Sequence, residues 1–206
     1  MISLKDKNVL ITRGSRGLGA AAAHAFRKGR CKHLGKLYQR RSQRRQCNSR
    51  NCRQARGQGG YRKGRYWCRR ELREDSDKCI ALFGSVDVII SNVGWMKISD
   101  FGDLNALSEA EWDKCWAVNI KANLHLLRAA SESFNANPDG GSFLISSSTA
   151  AITPSGSAMA YSVTKAAGLH LMPCLAQTQG LKIRVNAVLP GLLLTDLGEQ
   201  VQGREN

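Results

Sequence analysis

Tyr161 and Lys165 stand four residues apart in YSVTK, inside a stretch that reads as helix. That spacing puts both side chains on one helix face. An ammonium beside a phenol favours the phenolate and lowers the tyrosine pKa. The pair would then serve as an acid/base near neutral pH. Taken alone, a YxxxK is more simply a buried tyrosine beside a solvated lysine. Ser148 lies 13 residues upstream of Tyr161, just after SFLIS, where a hydroxyl would hydrogen-bond a substrate carbonyl. Ser147 could take its place, and an ordinary loop serine is the plain alternative. Asn119 sits in the middle of an apolar helical run. Asn is a poor choice there without a task, although a satisfied buried amide would account for it. The fourth element is TRGSRGLG, residues 12–19. Between a strand and a helix, such glycines let the backbone approach a pyrophosphate, and the helix N-terminus attracts its charge. By itself a glycine-rich loop is often only a turn.

These residues need a scaffold, and the apolar pattern supplies one. NVLIT (8–12), VDVIIS (86–91), SFLIS (142–146) and KIRVNAV (182–188) read as buried strands. Residues 17–28, 109–134 and 161–178 carry apolar positions near 3.6-residue spacing and read as helices. Pro173 is expected to kink the last of them. Strands alternating with helices predict an α/β domain with a parallel sheet. The 206 residues suffice for one such domain. No apolar run approaches the ~18 residues of a membrane span. The start MISLKDKNVLI has no long apolar core of a signal peptide. Seven cysteines without such a signal point to reduced thiols and a cytoplasmic protein.

Residues 30–70 interrupt this pattern. The formal net charge is +15, but residues 27–73 hold 18 of the 31 Lys/Arg and a single acid, Glu71. The rest of the chain is nearly neutral. No Val or Ile occurs between Thr12 and Cys79, so the tract lacks the β-branched runs of buried parallel strands. Its cysteines, at 31, 47, 52 and 68, lack the close pairs of a zinc site, and no metal is expected.

Taken in order, the glycine turn, SNVG (91–94), WAVN (116–119), SSS (146–148), YSVTK (161–165) and RVNAVLPG (184–191) with Thr195 resemble the short-chain dehydrogenase/reductase family. The resemblance runs over residues 1–29 and about 76–195. It implies a Rossmann-like doubly wound parallel sheet and reversible hydride transfer between NAD(P) and a carbonyl/alcohol pair. On that basis Tyr161 would be the general acid in reduction. Lys165 would lower its pKa and hold the nicotinamide ribose. Ser148 would polarise the carbonyl, and Asn119 would anchor a water leading to Lys165. Gly14, Ser15, Arg16, Gly17 and Gly19 would surround the diphosphate and nearby ribose. Asn92 and Gly94 would line the adenosine side, and Pro190, Gly191 and Thr195 would border the nicotinamide. Trp95, Met96 and the region after Leu192 are candidates for the substrate pocket, although such residues are usually core. Arg16 favours NADP, with NAD possible. A small carbonyl or alcohol substrate and a homo-oligomer are the expected partners, with no membrane and no nucleic acid.

The chain departs from the family at Arg13, where a glycine is usual, and at SNVG in place of NNAG. A Cβ and a long cation at Arg13 would hinder cofactor approach. The family's last strand is also expected to be missing after Thr195. The basic tract stands where a second strand, a helix and a third strand are due. Read from the second base of each codon, CKHLGKLY (31–38) permits ANILVNYT and GGYRKGRYW (59–67) permits AVIVKADIG, two apolar strands. A shifted frame over residues 30–75 is therefore expected, leaving a single domain over 1–206 with an anomalous, disordered basic segment. Strands 2, 3 and 7 would then be lost, strand 1 would be an exposed edge, and stability and cofactor binding would both be weak. Two alternatives remain open, an inactive remnant of the family and a scaffold that binds nucleic acid through residues 30–70.

Overall fold

The computed structural model describes residues 4–29, 31–35 and 84–193. Strand β1 (Asn8–Ile11) runs into a turn and then helix α1 (Gly17–Lys28). Strand β2 (Lys32–Gly35) follows, and then β3 (Val88–Ser91). A long helical region comes next, made of α2 (Glu109–Trp116), a π-helical turn (Ala117–Lys121) and α3 (Ala122–Ala136). After it come β4 (Gly141–Ser146), a 3-10 turn (Thr149–Ala151), α4 (Met159–Gln179) and β5 (Ile183–Val188). Helix α4 continues through Pro173 as one element.

The five strands form one parallel sheet in the order β2-β1-β3-β4-β5. This is the predicted Rossmann-like doubly wound arrangement. Side chains alternate across each strand. Val9, Ile11 and Ile90 therefore face α1, where Ala22, Ala23 and Phe26 cover them. Leu10, Ile89, Phe143 and Val185 face the opposite core with Leu126, Leu127 and Phe134 of α3. Gly141 lets α3 lie directly on β4, because a Cβ there would come within 2.1 Å of Phe134. Ser108 opens α2, its N–H donating to the Glu111 carboxylate over 3.0 Å. That bond satisfies one donor at the helix start.

One expectation is corrected here. Strand 2 is not missing, since KHLG in its printed frame pairs in parallel with β1, Asn8 opposite Lys32 through Ile11 opposite Gly35. The physical reason is that a parallel ladder is made by backbone groups. Among the described residues β2 is the outermost strand, and such a strand can satisfy the ladder without the Val and Ile that a central, doubly buried strand requires. Strand β1 is accordingly interior to the sheet, and the exposed edge predicted for it is absent. The places expected for strands 3 and 7, most of the basic tract and Thr195 lie outside the described residues.

Candidate active site at the C-terminal ends of the strands

In open α/β sheets the crevice lies outside the C-terminal strand ends, where the strand order reverses. The chain leaves β1 toward β2 on one side and later fills β3, β4 and β5 on the other. The reversal falls between β1 and β3. The loops after those strands are residues 12–16 and 92–97, and they are tied together. The Thr12 hydroxyl accepts the Asn92 N–H over 2.9 Å, and Thr12 N–H donates to Ile90 O over 3.1 Å. Gly19 brings α1 against both loops, since a Cβ there would lie 2.4 Å from Arg13 O and 2.7 Å from Asn92 Nδ2. Gly14 and Ser15 are half-buried in the turn, and Arg16 and Gly17 are exposed. Gly17 takes a left-handed φ of 53°, and α1 has no acid in its first turn. No acid of the helix's own first turn therefore competes for the N–H groups at that end.

Arg13 has a φ of 51°, a left-handed conformation that glycine takes without cost. Its guanidinium reaches across the crevice and donates to Gly94 O. Gly94 in turn lies beside the reactive groups. A Cβ on it would be 3.6 Å from Lys165 Nζ and 3.7 Å from Asn119 Oδ1.

Strand β4 and helix α4 bring Ser148, Tyr161 and Lys165 to one place. Lys165 is only 7% exposed and donates to Ser146 O over 2.8 Å. Its ammonium lies over the Tyr161 ring, 5.5 Å from the centroid. Burial, and then the Arg13 charge, lower its pKa from 10.5 to about 8. Tyr161 moves the other way. Burial raises its phenol, while a hydrogen bond with Ser148 pulls it down. The sequence predicted a phenol lowered by Lys165. In the structure the ammonium is aimed at the Ser146 carbonyl and sits over the ring, so burial dominates.

The two candidate serines separate cleanly. Ser147 is buried and spends its hydroxyl on Lys165 O at 3.3 Å. Ser148 is half-buried, accepts the Ala150 N–H over 3.2 Å and is the neighbour that pulls the Tyr161 pKa down. Asn119 lies in the π-helical turn and is 3% exposed. Its Oδ1 accepts the Trp95 N–H over 2.8 Å, and its Nδ2 donates to Trp95 O over 3.0 Å and to Thr164 Oγ1 over 2.9 Å. The amide thus clamps the loop after β3 to helix α4. Pro190 O accepts the Thr149 N–H over 3.1 Å, which draws the loop after β5 to the same end of the sheet. A Cβ added at Gly191 would lie 4.0 Å from Thr149 Cγ2 there. Trp95 packs against the core and carries Lys114 over its ring at 4.4 Å; Met96 is half-buried, and Leu192 is exposed.

Sequence reasoning missed Thr12 and Thr164, the two hydroxyls that hold the loops together. Each adjoins a residue that was singled out, Arg13 and Lys165, but a lone threonine carries no pattern. Among the described residues no cluster of His, Cys, Asp or Glu could hold a metal. No described helix is long and apolar enough to cross a membrane.

A family profile described as short chain dehydrogenase matches residues 7–206. A Bos taurus protein, dehydrogenase/reductase SDR family member 4, is 39% identical over 127 residues, 59% of this chain and 44% of that protein. A probable galactose dehydrogenase from Rhizobium meliloti is 30% identical over 201 residues, 94% of this chain and 74% of that protein. A 3-ketoacyl-(acyl-carrier-protein) reductase from Brucella melitensis, solved with NADH, superposes with a TM-score of 0.79 at 23% identity. That match covers 98% of this chain and 82% of the solved one. The chain spans about half the length of the curated relatives it matches first.

Proposed function

The chain belongs to the short-chain dehydrogenase family of NAD(P)-using oxidoreductases, and from that premise we propose that it reduces a small carbonyl compound, or oxidises the corresponding alcohol, with NADP as the preferred cofactor. The observation that carries this reading is the convergence of Ser148, Tyr161 and Lys165 beside the crevice between β1 and β3.

The residues around the crevice suit a dinucleotide. Gly19 lets α1 sit directly against the turn after β1, Gly94 keeps a side chain from standing beside Lys165 and Asn119, and α1 has no acid in its first turn. Gly14, Ser15, Gly17 and Gly19 would cradle the diphosphate. Asn92 and Gly94 would line the adenosine side, and Pro190, Gly191 and Thr195 the nicotinamide side. The cofactor supplies or accepts the hydride. In reduction the Ser148 hydroxyl donates a hydrogen bond to the carbonyl oxygen. The Tyr161 hydroxyl gives its proton to that oxygen as the carbonyl carbon becomes an alcohol carbon. A phenol held above its ordinary pKa carries its proton at neutral pH, and giving it up requires the phenolate to be stabilised in turn. Lys165 stabilises the phenolate left behind, and Asn119 fixes the loop and helix that carry these groups.

Two features support NADP. Arg16 is exposed at the start of α1, placed to meet a 2′-phosphate. Strand β2 ends at Gly35, followed in the sequence by Lys36, so the acid that would meet free ribose hydroxyls is not at that strand end. The domain is taken as one unit over 1–206 and as cytoplasmic, in keeping with the free thiols of Cys31, Cys115 and Cys174. A homo-oligomer remains the expected assembly.

The test is turnover of purified protein with NADPH and with NADH against a panel of aldehydes and ketones. NADPH oxidation that depends on the carbonyl and falls at least a hundredfold in Tyr161→Phe is the expected result. Absence of turnover with every pair would leave the inactive-remnant alternative standing.

A further inference from the structure

We infer that Asn123 is a positioning residue for the site: its side-chain amide holds the main-chain carbonyl of Asn119 in the π-helical turn, and so fixes the Asn119 amide that clamps the loop after β3 to helix α4. The inference deepens the reductase reading above, on which its kinetic consequences rest. Its structural consequences rest on the hydrogen bonds alone.

Three features lead there. The first is the bond itself. Asn123 Nδ2 donates to Asn119 O over 2.8 Å in the interior, and the two residues are 2% and 3% exposed. A Cβ added at Gly168 would lie 3.4 Å from the same carbonyl, so α4 passes close to it three residues beyond Lys165. The second is the backbone. Asn119 is the central residue of the π-helical turn Ala117–Lys121. Backbone bonds in such a turn run to the fifth residue, where an α-helix uses the fourth. Asn123 is the fourth, and its side chain supplies a donor there. The third is cost. The other side chains that α3 buries are Ala122, Leu126, Leu127, Ala130 and Phe134. Asn123 Oδ1 is enclosed with no hydrogen-bond partner among the described residues. A buried amide oxygen left that way is unfavourable. A residue placed here for packing alone would avoid that penalty, so the amide marks a polar task.

Asn119 carries the effect to the chemistry. Its amide bonds both backbone groups of Trp95 and the hydroxyl of Thr164. Trp95 follows Gly94, where an added Cβ would be 3.6 Å from Lys165 Nζ, and Thr164 directly precedes Lys165. A tilt of Asn119 therefore reaches Lys165 from two sides. Small displacements of this kind cost rate when reacting groups must be aligned.

Two variants test this. Asn123→Leu branches at the same side-chain carbon, removes the donor and removes the unpaired oxygen. Asn123→Thr keeps a donor, because a threonine hydroxyl in a helix reaches the carbonyl four residues back, as Thr164 does with Ala160 O and Thr178 with Cys174 O. Amide hydrogen exchange followed by NMR on the full chain without ligand reads the clamp directly. In Asn123→Leu the Trp95 amide is expected to exchange at least about tenfold faster, while Val185 in β5 stays within about threefold of the unmodified chain. In Asn123→Thr both amides should keep their rates. Turnover is expected to divide the same way, with kcat at least about tenfold lower in Asn123→Leu, largely retained in Asn123→Thr, and the Kd for NADP little changed in either. Unchanged Trp95 exchange in Asn123→Leu would overturn the inference and leave the reductase reading in place. Faster exchange at Trp95 and Val185 alike, or equal losses in the two variants, would assign Asn123 to packing and overturn it as well. The expected exchange pattern in a chain that turns over no carbonyl compound would uphold the clamp and overturn the reductase reading.

Discussion

The side-chain amide of Asn119 donates to Thr164 Oγ1 over 2.9 Å, and the Thr164 hydroxyl donates to Ala160 O over 2.7 Å. This chain of bonds joins the π-helical turn to α4 one residue before Lys165. Thr164 is fully buried. Replacing it with Val keeps the shape and removes the acceptor, so one Asn119 N–H is left without its partner. Thr164→Val is expected to lose about 1–3 kcal/mol in urea unfolding. Thr164→Ser keeps the hydroxyl and is expected to lose about 1 kcal/mol, from the missing methyl. If the hydroxyl positions the site, turnover falls in the Val variant and is largely retained in Ser. A loss equal in both would assign the residue to packing alone.

Ser147 and Ser148 are adjacent in sequence and separate in role. Ser147 donates to Lys165 O in the interior. Its replacement by Ala is expected to cost about 1 kcal/mol of stability and less than tenfold in kcat. Ser148 is the neighbour that pulls the Tyr161 pKa down. Its replacement by Ala is expected to cost about a hundredfold or more in kcat, as for other groups that stabilise a developing oxyanion. Steady-state kinetics and thermal melts on the two variants check the assignment, which the reverse pattern would exchange.

Lys165 makes stability depend on alkaline pH. Its folded pKa is about 8 against 10.5 for the free side chain. Below pH 8 both states carry the proton, and the folded state bears the full cost of a buried ammonium. Between pH 8 and 10.5 the folded state releases the proton while the unfolded chain keeps it, so this residue's contribution to stability rises with pH. The shift corresponds to roughly 3 kcal/mol. Lys165→Met should therefore be more stable than the unmodified chain at pH 7, and the gap should close toward pH 10. Urea titrations across that range would show it, and a gap independent of pH would contradict the burial argument.

The sequence made the central sheet legible because its strands are buried on both faces and must be written in Val, Ile, Leu and Phe. VDVIIS and SFLIS could not be mistaken for anything else. Lys32–Gly35 escaped because it is held by backbone bonds with β1, and KHLG has no apolar signature. The acid/base pair was legible in its spacing, but the sign of the Tyr161 shift was not. Spacing places Lys165 on the same helix face and says nothing of where its ammonium points, which the Ser146 carbonyl decides. Arg13 was visible as a departure from a glycine. Its meaning depended on Gly94, 81 residues away in the chain.

The two glycines at the ends of α1 should respond oppositely to alanine. At Gly29 the backbone has a φ of −74°, and the nearest atom to an added Cβ, Phe26 O, is 3.4 Å away. Alanine fits there with at most a small adjustment and restricts the unfolded chain, so Gly29→Ala is expected to gain about 0.4–1 kcal/mol. At Gly19 the same methyl would lie 2.4 Å from Arg13 O and 2.7 Å from Asn92 Nδ2. The Asn92 side chain can turn away, but the Arg13 carbonyl belongs to the turn itself. Helix propensity favours alanine by about 1 kcal/mol, and forcing the helix away from the turn costs about 1–3 kcal/mol or more. Gly19→Ala is therefore expected to be destabilised in urea unfolding. It should also bind NADP at least tenfold more weakly, because moving α1 withdraws its N-terminal N–H groups from the crevice. A Gly19→Ala protein with unchanged stability and affinity would mean that α1 can shift without disturbing the turn, and the turn would then not be the element that fixes the cofactor.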